Sequence, residues 1–350
     1  MSTSISLESR IKGAIVGVAV ADALGGPVEF QRRGTFLKVT DYQANLNFGL
    51  PPGAWTDDTS MTLCLAQSFI DTKTFSSASQ LQNYIAWFHN GYLSSIGRCF
   101  DIGNLTRMTL SFWNNHIPKK PVGSKASKSA NVLPSEETIE NLQRELNRSY
   151  ARDVYCGNGS LMRTVPIGLF YYSSSDDEIA EFSHLASQLT HPCRTNGEAC
   201  AAYNILVAYI LSTASGPGGR TPSKQQVFDK FKTLDFSSKV LRERFEVYVT
   251  LGGFEDQNEE LISSSGFVVH SLEAALWAFF TTNNWEDGAL KVVNLGDDAD
   301  TVGAIYGGLA GAYYGLETIP ESWRERLMEK EVVNTIAEGL WGVIAERGSN

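Results

Sequence analysis

The stretch Gly296-Asp297-Asp298-Ala299-Asp300-Thr301 opens a run of small and apolar residues, 299–314, with the composition of a buried helix. Glycines recur at every fourth position of that run, at Gly303, Gly307 and Gly311, so they share one face of the helix. A face of small residues in a soluble protein indicates close packing against a neighbouring helix. The stretch therefore predicts a core helix with carboxylates at its amino end.

A second acidic stretch, Trp55-Thr56-Asp57-Asp58-Thr59, also opens an apolar run with helical spacing. Crowded carboxylates repel each other unless a positive charge lies between them. Carboxylate and hydroxyl oxygens suit hard cations such as Mg²⁺, Mn²⁺ or Ca²⁺. We therefore expect the fold to bring the two stretches together around metal. Because side chains at a helix start fan out, two adjacent cations suit them better than one.

Taken alone, each acidic stretch can be explained as an ordinary acidic N-cap of a helix. Thr56 is a good N-cap candidate, and Asp57 and Asp58 would then lie in the favourable first turn of a helix. An EF-hand is excluded by spacing, since the twelfth position counted from Asp298 is Leu309 instead of a glutamate. The presence of both stretches in one chain favours metal over two caps.

Helical patterns also dominate the rest of the chain, and no region alternates as several consecutive strands would. We predict an all-α fold, a single compact multi-helix domain over residues 1–350 with a central two-metal cleft. Surface loops are expected at 118–135 and 213–223, which are rich in Ser, Pro, Lys or Gly. The predicted helices are 11–24, 57–71, 79–89, 136–148, 177–190, 197–212, 266–280, 285–294 and 299–314.

Composition narrows the class of protein. Of 350 residues 43% are hydrophobic and only 19% are charged, which argues against a disordered chain. The formal net charge of -10 argues against a general nucleic-acid-binding surface. We expect no membrane span, because residues 1–10 are polar and apolar runs such as 205–211 are short. Five scattered cysteines predict reduced thiols and a cytoplasmic location, and they leave nuclear presence open. We expect a monomer.

Further candidate residues lie between the acidic stretches. Gly157–Arg163 predicts a glycine-rich turn entering a helix, where main-chain N–H groups can cradle phosphate, although such turns are common. Asp101 is either a helix cap or an acid–base group, and Glu29 follows an apolar helix. His191, beside Pro192, is more often structural than functional at such a position. No serine or cysteine lies in an identifiable nucleophile motif.

Taken in order, these motifs resemble the ADP-ribosylglycohydrolases. The resemblance covers nearly the whole chain, and several independent motifs in family order are more specific than any single one. It implies an all-α protein that binds two Mg²⁺ or Mn²⁺ ions in a central cleft. The matching segments are 13–30, 55–59, 101–107, 157–163, 190–198 and 296–311.

The resemblance also implies roles for individual residues. Asp101 would be the catalytic carboxylate, as in arginine-specific members, and Glu29 would be the second choice or share that role. The implied metal ligands are Thr56, Asp57, Asp58, Asp298, Asp300 and Thr301. The implied substrate-binding residues are Gly157, Asn158, Gly159, Ser160, Met162 and His191.

Two positions depart from the family pattern. Ala21 stands where the family usually has glycine before Asp-Ala-Leu-Gly, and Asp297 stands where it has the second glycine of Gly-Gly-Asp. Asp297 could add negative charge, bind a metal or point to solvent, so it puts the metal preference of the site in question.

The implied function is metal-dependent hydrolysis of the bond between ADP-ribose and a protein side chain, with arginine favoured. Hydrolysis of serine-linked ADP-ribose, poly(ADP-ribose) or ADP-ribose 1″-phosphate is the alternative within the family. A non-catalytic ADP-ribose binder, a crystallin-like structural relative and a general metal-dependent phosphohydrolase are alternatives of other classes. The partner expected is the ADP-ribose moiety of a modified protein.

Overall fold

A computed structural model of the chain describes residues 5–117, 134–216 and 219–348. Within these ranges the chain is helical and forms no strand, only isolated bridges. The predicted all-α class and single compact domain are confirmed. The helices are Leu7–Gly25 (α1), Asp57–Thr72 (α2), Ser77–Asn90 (α3), Asn104–His116 (α4), Glu136–Tyr150 (α5), Val165–Phe170 (α6), Asp176–Gln188 (α7), Arg194–Ser215 (α8), Lys224–Lys232 (α9), Lys239–Glu246 (α10), Gly252–Glu255 (α11), Val268–Thr281 (α12), Trp285–Val293 (α13), Ala299–Tyr314 (α14), Glu321–Arg326 (α15) and Lys330–Gly348 (α16).

Glycines let α1 and α14 pack backbone against backbone at the centre of the core. A Cβ atom added at Gly307 would lie 2.1 Å from the Gly17 carbonyl oxygen, and one at Gly311 would lie 2.0 Å from that of Gly13. No side chain larger than hydrogen fits at such distances. The close packing expected of the glycine face of 299–314 is confirmed, and α1 is the neighbour.

The same packing brings the two acidic stretches to one end of the helix pair. A Cβ added at Gly25, the last residue of α1, would lie 2.5 Å from the Cα atom of Asp300. The first stretch arrives beside it because α2 starts at Asp57 and packs on both α1 and α14. The predicted meeting of distant parts of the chain is therefore a direct consequence of the glycine contacts.

Contrary to the expectation that the apolar runs are short, the span Leu7–Val28 is long and apolar enough to cross a membrane by length and composition alone. In the fold, 94% of its apolar window is buried inside the protein. A core helix passes the same test, and the burial against α14 accounts for its apolar character.

Several helices were not predicted, α4 among them, and some predicted boundaries differ from those observed. Helix α4 buries only Thr106, Thr109, Leu110 and Trp113, so its apolar stripe is narrow. Helix α8 runs on to Ser215, so the predicted loop from 213 begins later. Of the predicted loop 118–135, residues 118–133 lie outside the described residues.

Candidate active site

The first acidic stretch is held by a carboxylate from another helix. Thr56 occupies the predicted N-cap position of α2, but its side chain does not cap that helix. Instead Asp22, on α1, accepts hydrogen bonds from the N–H groups of Thr56 (3.0 Å) and Thr59 (3.1 Å) and from both hydroxyls. Asp22 thus satisfies orphan donors at the start of α2 and orients the following carboxylates.

The second stretch follows the same pattern. Asp298 is the N-cap residue of α14, and its side chain makes no capping hydrogen bond. Its Oδ2 accepts from the amide nitrogen of Asn158 at 2.6 Å, and its own N–H donates to the carbonyl of Ser264 at 2.9 Å. The capping interpretation of both acidic stretches is therefore wrong for the side chains, which face the cleft or each other.

We call the six residues that the two stretches bring together the acidic floor: Thr56, Asp57, Asp58, Asp298, Asp300 and Thr301. The hydroxyl oxygen of Thr56 lies 3.3 Å from Oδ2 of both Asp58 and Asp300, and 3.0 Å from Oδ1 of Asp22. A hydroxyl carries one proton and can satisfy only one of these oxygens. The hydroxyl of Thr301 lies 3.3 Å from the same Oδ2 of Asp58.

The electrostatics of the floor favour a bound cation. Burial is the main cause that raises the pKa values of Asp57, Asp58 and Asp300, and neighbouring carboxylates raise them further. Oδ1 of Asp58 is buried without a hydrogen-bond partner, and no Lys or Arg among the described residues forms an ion pair with the floor. Oxygen donors of this density fit hard divalent cations.

Asp101 and Glu29 form a second carboxylate group at the edge of the floor. One oxygen from each lies within 4.8 Å of the other and of Asp300. Burial, followed by the charge of Asp101, raises the pKa of Glu29 to about 11, and burial raises that of Asp101 to about 8. Asp101 is not a helix cap, because α4 begins at Asn104 with Gly103 as its N-cap. Oε2 of Glu29 and Oδ2 of Asp101 are buried without partners.

A second group of cleft-lining residues carries no carboxylate. We call it the neutral wall: Gly157, Asn158, Gly159, Met162 and His191. A Cβ added at Gly159 would lie 2.7 Å from Cε1 of His191, so only glycine lets the imidazole approach. Asn158 joins wall to floor, since its amide nitrogen donates to Asp298 and, at 2.9 Å, to Ser271.

The glycine-rich turn differs in two ways from the expectation. It does not enter a helix directly, because α6 starts only at Val165. The Ser160 hydroxyl is buried and accepts from Ser187 at 2.9 Å, so this side chain does not line the cleft. Among the described residues, the N–H groups of Gly159 and Ser160 have no hydrogen-bond acceptor, which leaves two main-chain donors at the turn.

The cleft has a volume of about 1020 Å³, enough for a dinucleotide-sized ligand. The remaining proposed site residues line it, with the exception of Thr56, which lies buried beneath the surface of the floor. Phe30 and Phe48 stand on its rim; Phe30 is 69% exposed and has a φ of 64°, a conformation that is uncommon for a bulky residue.

Asp297 lies at the rim and is exposed. Its φ of 52° is in the left-handed region that favours glycine, which accounts for the glycine usual in the family. Its N–H donates to the carbonyl of Gln31, and its carbonyl accepts from the N–H of Phe30, both at 2.7 Å. Of the three roles considered for Asp297, an exposed charge beside the floor fits this position.

The expectation that all five cysteines are reduced is wrong for one pair. Cys156 and Cys193 form a disulfide, with Cα atoms 5.9 Å apart. The bond joins the residue before Gly157 to the N-cap residue of α8, two positions after His191. It therefore ties together the two segments of the neutral wall. Scattered cysteines without a spacing motif carry no signal for such a pair.

Four residues were missed: Ser265, which lines the cleft, and three that support it, Asp22, Arg163 and Asn196. Asp22 had a signal, since it is the one acidic residue inside the apolar run 11–24 and is fully buried. Arg163 donates to the Gly159 carbonyl at 2.6 Å, and Asn196 donates to that of Gly157. Glu198, at the end of the matching segment 190–198, accepts from the Ser238 N–H at 2.8 Å and does not line the cleft.

Fold and site together define an all-α enzyme with a carboxylate-rich cleft. The chain belongs to the ADP-ribosylglycohydrolase family, whose model matches residues 3–350. A solved structure described as an ADP-ribosylglycohydrolase-related protein complex superposes with a TM-score of 0.73 at 31% identity, covering 97% of this chain and 99% of the other.

Three relatives with named activities are similar over nearly the whole chain. An ADP-ribosylarginine hydrolase Tri1 from Serratia proteamaculans is 33% identical over 96% of this chain and 80% of the relative. The ADP-ribosyl-[dinitrogen reductase] glycohydrolase of Rhodospirillum rubrum is 26% identical, covering 94% of this chain and 95% of the relative. The ADP-ribosylhydrolase ARH3 of Mus musculus is 24% identical, covering 97% and 92%.

Proposed function

We propose that this protein hydrolyses the bond between ADP-ribose and an arginine side chain of a modified protein, releasing ADP-ribose and restoring the arginine. The observation that carries the proposal is one cleft that pairs the acidic floor with the neutral wall. The arginine preference is supported by relatives named ADP-ribosylarginine hydrolase, at 33% and 34% identity, against 24% for the mouse ARH3.

We infer that the acidic floor holds two divalent cations, with Mg²⁺ favoured and Mn²⁺ as the alternative. Support comes from the donor set, which is made of carboxylate and hydroxyl oxygens, and from the unpartnered Oδ1 of Asp58. Bound cations would supply Lewis acidity and neutralise the crowded carboxylates. The proposed ligands are Thr56, Asp57, Asp58, Asp298, Asp300 and Thr301.

We assign the acid–base chemistry to Asp101, with Glu29 as its neighbour. During hydrolysis the water oxygen forms a bond to the anomeric carbon, the carbon–nitrogen bond breaks, and the guanidine leaves with a proton. The anomeric carbon passes through an oxocarbenium-like state, which a nearby carboxylate stabilises. Oδ2 of Asp101 is buried without a partner, and in its ionised form it would accept the proton that the water loses and pass it to the leaving guanidine.

The neutral wall is proposed to bind the diphosphate. Anionic phosphate oxygens would be repelled by the floor, whereas the turn at Gly159 and Ser160 offers two N–H groups without acceptors among the described residues. Main-chain donors of this kind bind phosphate without a basic side chain. This arrangement lets a protein with a net charge of -10 bind an anion.

A panel assay tests the function. Purified protein is incubated with arginine-linked, serine-linked, polymeric and 1″-phosphate ADP-ribose, with Mg²⁺, with Mn²⁺ or with EDTA. We expect cation-dependent release that is at least about tenfold faster from arginine than from the other three. The Asp101→Asn variant is the control for contaminating hydrolases.

Three outcomes would change the proposal. Faster release from serine or from the polymer would make the linkage wrong while leaving the reaction class intact. Tight ADP-ribose binding with no release from any substrate would indicate a non-catalytic binder. Full turnover after removal of divalent cations would contradict the role of the acidic floor.

A further inference from the structure

Arg163 is a buried cation behind the neutral wall, and it donates hydrogen bonds to Gly159 of the wall and to two residues behind it. It is only 2% exposed and does not line the cleft. Its Nη1 donates to the Gly159 carbonyl at 2.6 Å, its Nη2 to the Thr190 hydroxyl at 2.7 Å, and its Nε to the Tyr84 hydroxyl at 3.2 Å. The guanidinium also lies 4.8 Å from the centre of the Tyr84 ring. A buried cation is stable only with partners of this kind.

The hydroxyl of Thr190 connects Arg163 to His191 by hydrogen bonds. Thr190 is fully buried, and its Oγ1 lies 2.9 Å from Nδ1 of His191. Because Oγ1 already accepts from Arg163, its own proton needs an acceptor, and Nδ1 is the one that the described residues provide. A buried hydroxyl proton without an acceptor costs about 1–3 kcal/mol. The favoured arrangement has Thr190 donating to Nδ1.

This arrangement decides where His191 carries its proton. A neutral imidazole has one N–H, so a ring that accepts at Nδ1 donates at Nε2. Burial, followed by the charge of Arg163, lowers the pKa of His191 to about 3 and keeps the ring neutral. Nε2 lies against Gly159, since a Cβ added there would be 3.1 Å from it, and both residues line the cleft.

We propose that Arg163 is a positioning residue of the ligand site: acting through Thr190, it holds His191 in the Nε2–H tautomer, which presents a third donor beside Gly159 to an anionic oxygen of the diphosphate. The inference rests on the proposed function for the identity of the ligand. The tautomer itself is a property of the free protein. Arg163 contributes no contact to the ligand, so its effect should fall on affinity more than on the chemical step.

The tautomer is measured by ¹⁵N NMR of histidine-labelled protein without ligand. The chain has five histidines, and the His191 signals are assigned by their loss in His191→Gln. We expect a neutral ring protonated at Nε2 throughout pH 5–8. Protonation at Nδ1 in the free wild-type protein would overturn the inference, whatever the enzyme assay gives.

Two matched pairs of variants test this chain of hydrogen bonds from Arg163 through Thr190 to His191, which we call the relay. Arg163→Lys keeps the charge but lacks the planar fork that reaches Gly159 and Thr190 together, whereas Tyr84→Phe removes only the contact to Nε. Thr190→Ala removes the hydroxyl, and Thr190→Ser retains it. We expect Arg163→Lys and Thr190→Ala to lose the single tautomer and to bind ADP-ribose about tenfold more weakly by calorimetry. Tyr84→Phe and Thr190→Ser should keep the tautomer and bind within about threefold of the wild type.

Kinetics separate positioning from a merely structural role. In Thr190→Ala, KM should rise about tenfold while kcat stays within about twofold of the wild type. Thermal melting verifies that each variant is folded, and if Arg163→Lys does not fold, the Thr190 pair decides. A folded Thr190→Ala with the wild-type tautomer and affinity would refute the relay. If the wild type releases ADP-ribose from no substrate, the proposed function fails while the NMR result still stands.

Discussion

The acidic floor and the neutral wall face one cleft, but they differ in how many of their polar groups have hydrogen-bond partners within the protein. In the wall, the carbonyls of Gly157 and Gly159 accept from buried side chains, and Asn158 uses both of its amide protons. In and beside the floor, buried oxygens of Asp58, Glu29 and Asp101 have no partner. The wall is therefore preorganised by the protein itself, whereas the buried carboxylates of the floor are stabilised by taking up protons or, as proposed above, divalent cations.

This difference predicts separable effects of mutations. A change in the floor should act on cation binding and turnover, and a change in the wall should act on ADP-ribose affinity. Asn158 is where the two could couple, because it belongs to the wall and donates to Asp298 of the floor.

The largest effect is expected from removing a carboxylate of the floor. Asp58→Ala or Asp300→Ala should reduce kcat by about 10³-fold or more, since the lost interaction with the cations contributes about 4 kcal/mol or more. Turnover of ADP-ribosylarginine at saturating substrate measures it. Asp71→Ala, at an exposed position of the same helix as Asp58, is the control and should be fully active. Normal turnover by either floor variant in metal-stripped buffer would contradict the role of the floor.

The next largest effect is expected at the edge of the floor. Asp101→Asn should lower kcat by about 10²–10⁴-fold, the usual contribution of an acid–base group, while ADP-ribose affinity changes less than about threefold. Glu29→Gln is the matched variant, because its carboxylate lies within 4.8 Å of that of Asp101. Calorimetry and saturation kinetics distinguish the effects. Lost affinity with normal turnover at saturation would show that Asp101 binds the ligand instead.

Removing divalent cations should make stability depend on pH with a sign opposite to the usual one. Burial raises the pKa of Asp22 to about 6 and that of Asp101 to about 8, so the folded state binds these protons more tightly than the unfolded state. The free energy of unfolding should therefore fall as pH rises from about 4 to about 8. In EDTA we expect Tm to drop by about 5 °C or more across pH 5–8. Saturating Mg²⁺ should flatten this slope, and equal slopes with and without Mg²⁺ would contradict the floor as a cation site.

The neutral wall should contribute a pH dependence of stability with the opposite sign. The lowered pKa of His191, about 3, means that the unfolded state binds this proton more tightly. Its contribution to stability is present above about pH 6.5 and is lost as pH falls towards 3. His191→Gln should therefore reduce the acid-side loss of stability and leave the slope above pH 7 unchanged.

Sequence patterns predict what is local in this site. Glycines every fourth residue and carboxylates at two helix starts predicted the packing of α14 and the composition of the floor, because helical periodicity places such residues on defined faces. The contact partners of Asp22 and Thr190, and the disulfide, were not predictable in the same way. Asp22 contacts Thr56 across 34 positions, Arg163 contacts Thr190 across 27, and Cys156 joins Cys193 across 37. Such partners are chosen by tertiary packing and leave no local spacing.

Reducing the Cys156–Cys193 bond should affect the wall without affecting the floor. A loop of 37 residues released in the unfolded state predicts a stability loss of about 3–4 kcal/mol. ADP-ribose affinity should fall a few-fold because the two wall segments are less constrained, whereas Mg²⁺ affinity should stay the same. The double variant Cys156→Ser/Cys193→Ser is compared with dithiothreitol-treated wild type, and Cys99→Ser, at a free and partly exposed thiol, is the control. An equal loss of Mg²⁺ affinity would show that wall and floor are not independent.

The smallest effect is expected at Asp297, where backbone and charge can be separated. Its φ of 52° favours glycine, so Asp297→Gly should raise the free energy of unfolding by about 0.5–1 kcal/mol. The same change removes an exposed charge that raises the pKa of Asp298, so cation affinity should fall a few-fold. Asp297→Asn removes the charge but keeps a side chain that tolerates this backbone, so it should weaken cation binding equally without the gain in stability. Denaturant unfolding in EDTA and Mg²⁺ titration measure the two effects. A stability gain in Asp297→Asn as large as in Asp297→Gly would assign the effect to charge repulsion with the floor instead of to backbone strain.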